Sequence, residues 1–123
     1  GSQYIHEHQY KTTLVFVSGP NNNNPGTKGP INSVSRTYNE YKDNRFDVFM
    51  KGVEAALFAA LIAMVRSKCN VALLVYVSGG VYRGKHDKQD YKIMYENIVN
   101  NLLMNVQING LELGSYFDAV YLL

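Results

Sequence analysis

The sequence has few of the residues that mark several common protein classes. It has a single cysteine, Cys69, in 123 residues, so an internal disulfide or a thiolate zinc site cannot be built. Its net charge of +2 is low for a nucleic-acid binder, which usually concentrates basic residues on one face. The longest near-continuous apolar stretch, Val53 to Val65, is shorter than the roughly 20 residues of a membrane-spanning helix. We therefore expect no metal or cofactor, and no membrane or nucleic-acid partner.

The composition is otherwise that of a folded domain. Apolar residues make up 46% of the chain and charged residues 18%, which excludes a disordered chain. The length corresponds to one domain, and we assign residues 3–123 to it because Gly1-Ser2 looks like a cloning remnant. The low cysteine content favours a cytoplasmic location, where thiols stay reduced, although a cysteine-poor secreted protein would have the same composition.

The hydrophobic pattern predicts alternating strands and helices. We expect strands over Thr12–Val17, Val71–Val77 and Ala119–Leu123. A helix is predicted from an Asn44 N-cap to about Lys68, and a second helix from Asp87–Asp90 onwards, with a buried stripe of Tyr91, Met94, Tyr95, Ile98 and Leu102. Neither of the first two strands alternates between polar and apolar residues, which is typical of strands buried on both faces. The predicted fold class is therefore a three-layer α/β/α domain with a mostly parallel sheet, in which residues 21–44 form a long loop.

Three strands and two helices would make a thin core for this class. The first helix is apolar on more than one side, which is unusual for a surface helix. We therefore expect the chain to be part of a larger domain or to need a partner, either as a homo-oligomer or with a second chain that completes the domain.

A glycine-rich loop follows the second predicted strand and leads into the second helix. It reads Ser78-Gly79-Gly80-Val81-Tyr82-Arg83. In open α/β sheets, ligands bind beyond the carboxyl ends of strands. Glycine lets the backbone approach a ligand, and the N–H groups of such a loop, with the helix N-terminus, can hold phosphate oxygens. The spacing is neither the dinucleotide fingerprint nor a P-loop.

The run from Val71 to Gly84 resembles the second ligand loop of macro domains. In that family an apolar strand leads into a short segment that wraps the diphosphate of ADP-ribose. The resemblance implies that Ser78, Gly80, Val81 and Tyr82, with Gly79 between them, bind the ligand. We add Arg83 to these ligand-binding residues, because it places a positive charge beside the loop. The alanine-rich helix before the strand and the segment Leu14–Pro20 are also similar to the family, and the implied ligand is ADP-ribose or an ADP-ribosylated protein.

The early half of a macro domain has no clear counterpart in this sequence. Either the chain is the later half of such a domain, or the segment Asn21–Gly29 is a divergent first loop. The second alternative would place Asn22, Asn23 or Asn24 near the ribose and Gly26 and Gly29 near the phosphates. We favour the first alternative, because three consecutive glycines are absent.

Three functional hypotheses follow. The first is a macro-like module that binds ADP-ribose or a related nucleotide diphosphate. The second is an ADP-ribosyl hydrolase, for which no catalytic constellation can be identified in the sequence. The third is a non-catalytic interaction scaffold with a degenerate pocket, which would assemble through exposed apolar surface.

Overall fold

A computed structural model describes residues 12–20, 46–84 and 86–123. In chain order, the regular elements of these residues are helix α1 (Phe46–Arg66), strand β1 (Val71–Leu74), a 3₁₀ turn (Val81–Arg83), helix α2 (Lys88–Asn105), strands β2 (Gln107–Ile108) and β3 (Leu111–Glu112), a second 3₁₀ turn (Leu113–Tyr116), and strand β4 (Ala119–Leu122).

Helix α1 forms within the predicted range, since its apolar residues recur every three or four positions, and the predicted N-cap, Asn44, lies outside the described residues. Its buried side chains are Phe49, Met50, Val53, Leu57, Ala60 and Leu61. Asp47 in the first turn and Arg66 in the last turn have the charges that suit the helix dipole. The helix ends at Arg66, and Lys68 in the turn that follows has a left-handed φ of 59°.

Helix α1 is longer than the apolar stretch counted in the sequence. At 21 residues it is long and apolar enough to cross a membrane, judged by length and composition alone. A core helix passes the same test, and six side chains of α1 are buried against the rest of the chain.

Helix α2 begins as predicted, with Asp87 as its N-cap. The Asp87 side chain accepts hydrogen bonds from the backbone N–H groups of Gln89 and Asp90, both at 2.9 Å. Its buried residues are Tyr91, Tyr95, Ile98, Val99 and Leu102. The prediction was wrong for Met94, which is 38% exposed, and it missed Val99, which is buried.

The parallel sheet of the described residues has two strands. Strand β1 pairs in parallel with β4, so that Leu73 lies beside Tyr121. Along β1 the burial alternates: Ala72 and Leu74 are buried, whereas Val71 and Leu73 are exposed. The prediction that this strand is buried on both faces is therefore wrong for the described residues, because both helices pack on the same face of the sheet.

A short hairpin, which was not predicted, connects α2 to the last strand. Strands β2 and β3 are antiparallel and are joined by Asn109 and Gly110, with φ values of 54° and 81°. Two positive φ values favour Asn-Gly in a tight hairpin turn. The predicted turn at these two residues and the predicted last strand are both confirmed.

The first predicted strand does not form. Residues 12–20 have no regular secondary structure, and Leu14 and Phe16 are 73% and 88% exposed. High β-propensity stabilises a strand only when a neighbouring strand and a covering layer are present. The described residues thus form two layers, with α1 and α2 on one face of the β1–β4 sheet.

Candidate functional site

The chain leaves the sheet after Leu74 and turns sharply at Ser78. The N–H of Gly79 donates to the carbonyl oxygen of Tyr76 at 3.0 Å, and Ser78 has a left-handed φ of 60°. The 3₁₀ turn Val81–Arg83 follows, with the N–H of Arg83 bonded to the carbonyl of Gly80 at 3.1 Å. This geometry brings the glycine-rich loop back over the carboxyl end of β1.

Arg83 stabilises the conformation of this loop through hydrogen bonds to backbone carbonyl oxygens. Its Nη1 donates to the carbonyl oxygen of Gly79 at 2.5 Å, and its Nε donates to the carbonyl oxygen of His86 at 2.9 Å. The guanidinium group is therefore engaged with the backbone of its own loop. The sequence assigned Arg83 to ligand binding, which stays a prediction, and its described contacts show that it also closes the loop.

The two adjacent glycines have different surroundings. A Cβ atom at Gly79 would lie 2.8 Å from Tyr91 Cε1 and 2.9 Å from Tyr76 Cβ. A Cβ at Gly80 would meet nothing within 4 Å. Gly79 is thus required for packing against α2, whereas Gly80 is open to a ligand.

The segment that precedes residue 21 forms a second wall opposite the loop. The Ser78 hydroxyl donates to the carbonyl oxygen of Pro20 at 2.7 Å. Gly19 is buried there, and a Cβ at this position would overlap the side chains of Ser78 and Val77. This close approach holds residues 15–20 beside the strand end.

A cleft of about 490 Å³ lies between the two walls. Its lining residues are Val15, Phe16, Val17, Ser18, Gly19, Val75, Tyr76, Val77, Ser78 and Tyr82. Among these described residues none is charged, and the aromatic rings of Phe16 and Tyr82 are 88% and 46% exposed. The lining is suited to an uncharged, flat group, and any anion there would depend on backbone N–H donors.

The N-terminus of α2 offers less to an anion than the sequence implies. The Asp87 carboxylate already accepts from two of its first N–H groups. A capping carboxylate occupies the position at which a phosphate would gain from the helix dipole, and its charge repels one. A phosphate in this region would therefore depend on the loop rather than on the helix.

His86, which immediately precedes the N-cap of α2, is buried. It is 8% exposed, its ring lies 4.8 Å from that of Phe46 and 5.2 Å from that of Phe49, and its Nε2 has no hydrogen-bond partner. Burial, and then the positive charge of Arg83, lower the pKa of His86. Both effects favour the neutral form of the imidazole, whose ring packs against the aromatic rings of α1.

Three tyrosines pack together beside the segment that follows β1. The hydroxyls of Tyr91 and Tyr95 donate to the carbonyl oxygens of Val77 and Val75, and the Tyr76 ring packs 4.8 Å from that of Tyr95. Burial raises the pKa of Tyr95 to about 12, and burial also raises the pKa of Tyr91. The prediction that Tyr91 and Tyr95 belong to the core is confirmed. Their helical spacing could not predict the hydrogen bonds that their hydroxyls donate to the segment after β1.

The structure brings together only part of the predicted site. Ser78 and Tyr82 line the cleft, and Gly79, Gly80 and Val81 belong to the same loop. Asn22, Asn23, Asn24 and Gly26 lie outside the described residues. The sequence also missed Phe16 as a lining residue, because it was assigned to a doubly buried strand.

No group of three or more His, Cys, Asp or Glu side chains within the described ranges could hold a metal ion. Comparisons with protein families, with characterised proteins and with solved structures find no match to this chain.

Proposed function

We propose that this chain binds a nucleoside diphosphate of the ADP-ribose type in the cleft between residues 15–19 and 75–82. The observation that carries this proposal is the open position of Gly80 in a glycine-rich loop at the carboxyl end of β1. The carboxyl ends of strands in α/β sheets are where ligands bind, and an open glycine lets the phosphates come close to the backbone.

In this proposal the phosphates interact with backbone donors. The N–H groups that open a 3₁₀ turn have no carbonyl partner within that turn, and the turn here starts at Val81. Successive N–H groups of such a turn form a concave donor set for an anion. Arg83 contributes indirectly, since its two hydrogen bonds keep the loop in shape.

The aromatic side chains supply the second part of the binding energy. Phe16 and Tyr82 both line the cleft and are both accessible to solvent. A base that stacks on such a ring gains about 1–3 kcal/mol. A ligand with a flat base and a diphosphate would use both the apolar lining and the loop donors.

The test is calorimetric titration of the chain with ADP-ribose, ADP and adenosine. We expect binding that weakens in the order ADP-ribose, ADP, adenosine. Gly80→Asp should abolish binding, because its carboxylate would occupy the space next to the loop donors. It should leave the fold intact, since a Cβ at Gly80 meets nothing within 4 Å.

Asn100→Asp is the matched control. It adds the same charge on the exposed side of α2, about 18 Å along the helix from its first residue, and should leave binding unchanged. If wild-type chain binds none of the three ligands, or if Gly80→Asp binds as well as wild type, the proposed site is wrong.

A further inference from the structure

A buried histidine connects the glycine-rich loop to helix α1. Among the described residues, no His, Lys, Arg, Asp or Glu side chain other than His86 is buried. The imidazole ring packs against Phe46 and Phe49 of α1, and its Nε2 has no hydrogen-bond partner. A buried polar atom without a partner is uncommon in a folded protein, so this packing is suited to the neutral ring only.

The backbone of His86 is tied to the loop through Arg83. The guanidinium group donates from Nε to the carbonyl oxygen of His86 and from Nη1 to the carbonyl oxygen of Gly79, and we call this pair of hydrogen bonds the Arg83 clamp. The N–H of His86 in turn donates to the carbonyl oxygen of Arg83 at 3.4 Å. A displacement of His86 is therefore transmitted to the start of the loop.

The charges of the elements around His86 do not compensate a positive charge on its ring. The guanidinium group of Arg83 acts on the imidazole as a like charge. The carboxylate of Asp87, the next residue, accepts two backbone N–H groups of its own helix. The other charged residues in the first turns of α1 and α2 are exposed: Asp47, Lys88 and Asp90.

We propose that protonation of His86 opens the glycine-rich loop and releases the ligand bound there, which makes binding at this loop sensitive to mild acid. The proposal rests on the proposed function for its ligand, and on the contacts of His86 for its conformational change. In the imidazolium both ring nitrogens are donors, and Nε2 would be a donor buried without an acceptor. The attraction of a cation to aromatic rings is smaller than the cost of burying an unpaired charge, so the protonated ring moves into water.

Movement of the ring carries the His86 backbone with it and breaks the Arg83 clamp. The loop donors then lose the arrangement in which they can bind a diphosphate. A ligand that binds the closed loop binds the chain with neutral His86 more tightly, and proton binding therefore opposes ligand binding. Because a single proton is involved, the affinity is constant while His86 is neutral, and below that range it falls by at most about tenfold per pH unit.

The first test uses the chain without ligand. Proton–nitrogen NMR spectra are recorded from about pH 7.5 to about pH 5, the range in which histidine titrates. The amides of Gly79 and Gly80 should shift with the same midpoint as the His86 ring. The amide of Gly110, beyond the far end of α2, is the internal control and should not follow that midpoint. His86→Phe should abolish the shifts of the two loop amides, and its spectrum identifies the His86 ring signal by its loss.

The second test is calorimetric titration with ADP-ribose over the same pH range. Wild type should bind progressively more weakly below the His86 midpoint, by at most about tenfold per pH unit, whereas His86→Phe should keep its neutral-pH affinity throughout. If His86→Phe does not fold, His86→Leu replaces it, and the coincidence of midpoints in wild type decides the result by itself.

The outcomes separate this proposal from the proposed function. If ADP-ribose binds at no pH while the loop amides follow His86, the ligand assignment is wrong and the proton-driven opening of the loop stands. The opening is overturned if the loop amides do not follow His86, or if His86 takes up no proton in the folded chain down to about pH 5. It is also overturned if wild type and His86→Phe lose affinity for ADP-ribose in parallel.

Discussion

The Tyr91 hydroxyl donates a hydrogen bond to the backbone carbonyl of Val77, three residues after β1 ends at Leu74. Tyr91 is 1% exposed, so neither group can exchange this bond for one with water. A buried carbonyl oxygen needs a hydrogen-bond donor. No neighbouring strand of the described residues donates to this one, and a side chain of α2 does so instead. The tyrosine therefore sets the path of the chain into the glycine-rich loop.

Replacement of Tyr91 by Phe should destabilise the chain by about 1–3 kcal/mol, because it leaves the Val77 carbonyl buried without its donor. The measurement is the free energy of unfolding in urea. Tyr121→Phe is the matched control, since Tyr121 is 55% exposed, and its effect should stay within about 0.5 kcal/mol. Equal stability of the two variants would mean that the carbonyl finds another partner.

Alkaline pH should destabilise the chain through Tyr95. Its pKa is raised from 10.0 to about 12 in the folded state, so the folded chain retains the phenolic proton more strongly than the unfolded chain does. The resulting contribution to stability is complete below pH 10 and is lost as the pH rises through 12. Each pKa unit corresponds to about 1.4 kcal/mol.

Urea unfolding from neutral to alkaline pH measures this effect, with tyrosinate absorbance recorded on the folded chain. Tyr95→Phe should show a weaker loss of stability in this window than wild type. If the two chains lose stability in parallel, Tyr95 is not the group responsible.

Acidic pH should destabilise the chain through His86. Burial lowers the pKa of His86 below its usual value of 6.5, so the unfolded chain binds this proton at a higher pH than the folded chain does. Stability is therefore unaffected above about pH 6.5 and falls as the pH drops below it.

The variant that tests this is His86→Phe, which keeps a ring beside Phe46 and Phe49 and removes the titration. Thermal unfolding between neutral and mildly acidic pH should show a smaller decrease in Tm for His86→Phe than for wild type. An identical decrease would assign the acid sensitivity to other groups.

The two neighbouring glycines of the loop should respond differently to the same change. Gly79→Ala should cost about 1–3 kcal/mol, because its Cβ would lie under 3 Å from Tyr91 and Tyr76 side-chain atoms. Gly80→Ala should be neutral or stabilise by up to about 1 kcal/mol, since the site is open and the backbone of Gly80 lies outside the left-handed region. Urea unfolding of both variants provides the comparison, and a larger loss for Gly80→Ala would contradict this description of the loop.

Much of the fold could be predicted from local patterns. The helical spacing of apolar residues gave α1 and α2, and Asp87 marked the start of α2, because capping and periodicity are properties of neighbouring residues. The Asn109-Gly110 turn and the last strand were found for the same reason. The candidate site was predicted in part, since the loop Ser78–Arg83 is one continuous segment.

The sequence by itself thus determined the two helices, the strands that begin at Val71 and Ala119, and the position of the glycine-rich loop. Only the tertiary structure decided that both helices cover one face of the sheet, that Thr12–Val17 forms a cleft wall rather than a strand, and that Arg83 and His86 belong to the interior of the loop. The physical reason is that helix starts and turns depend on contacts between residues close in sequence. Burial, strand pairing and hydrogen bonds to side chains depend on which segments distant in the sequence come into contact. The apolar character of a segment does not determine which other segment packs against it.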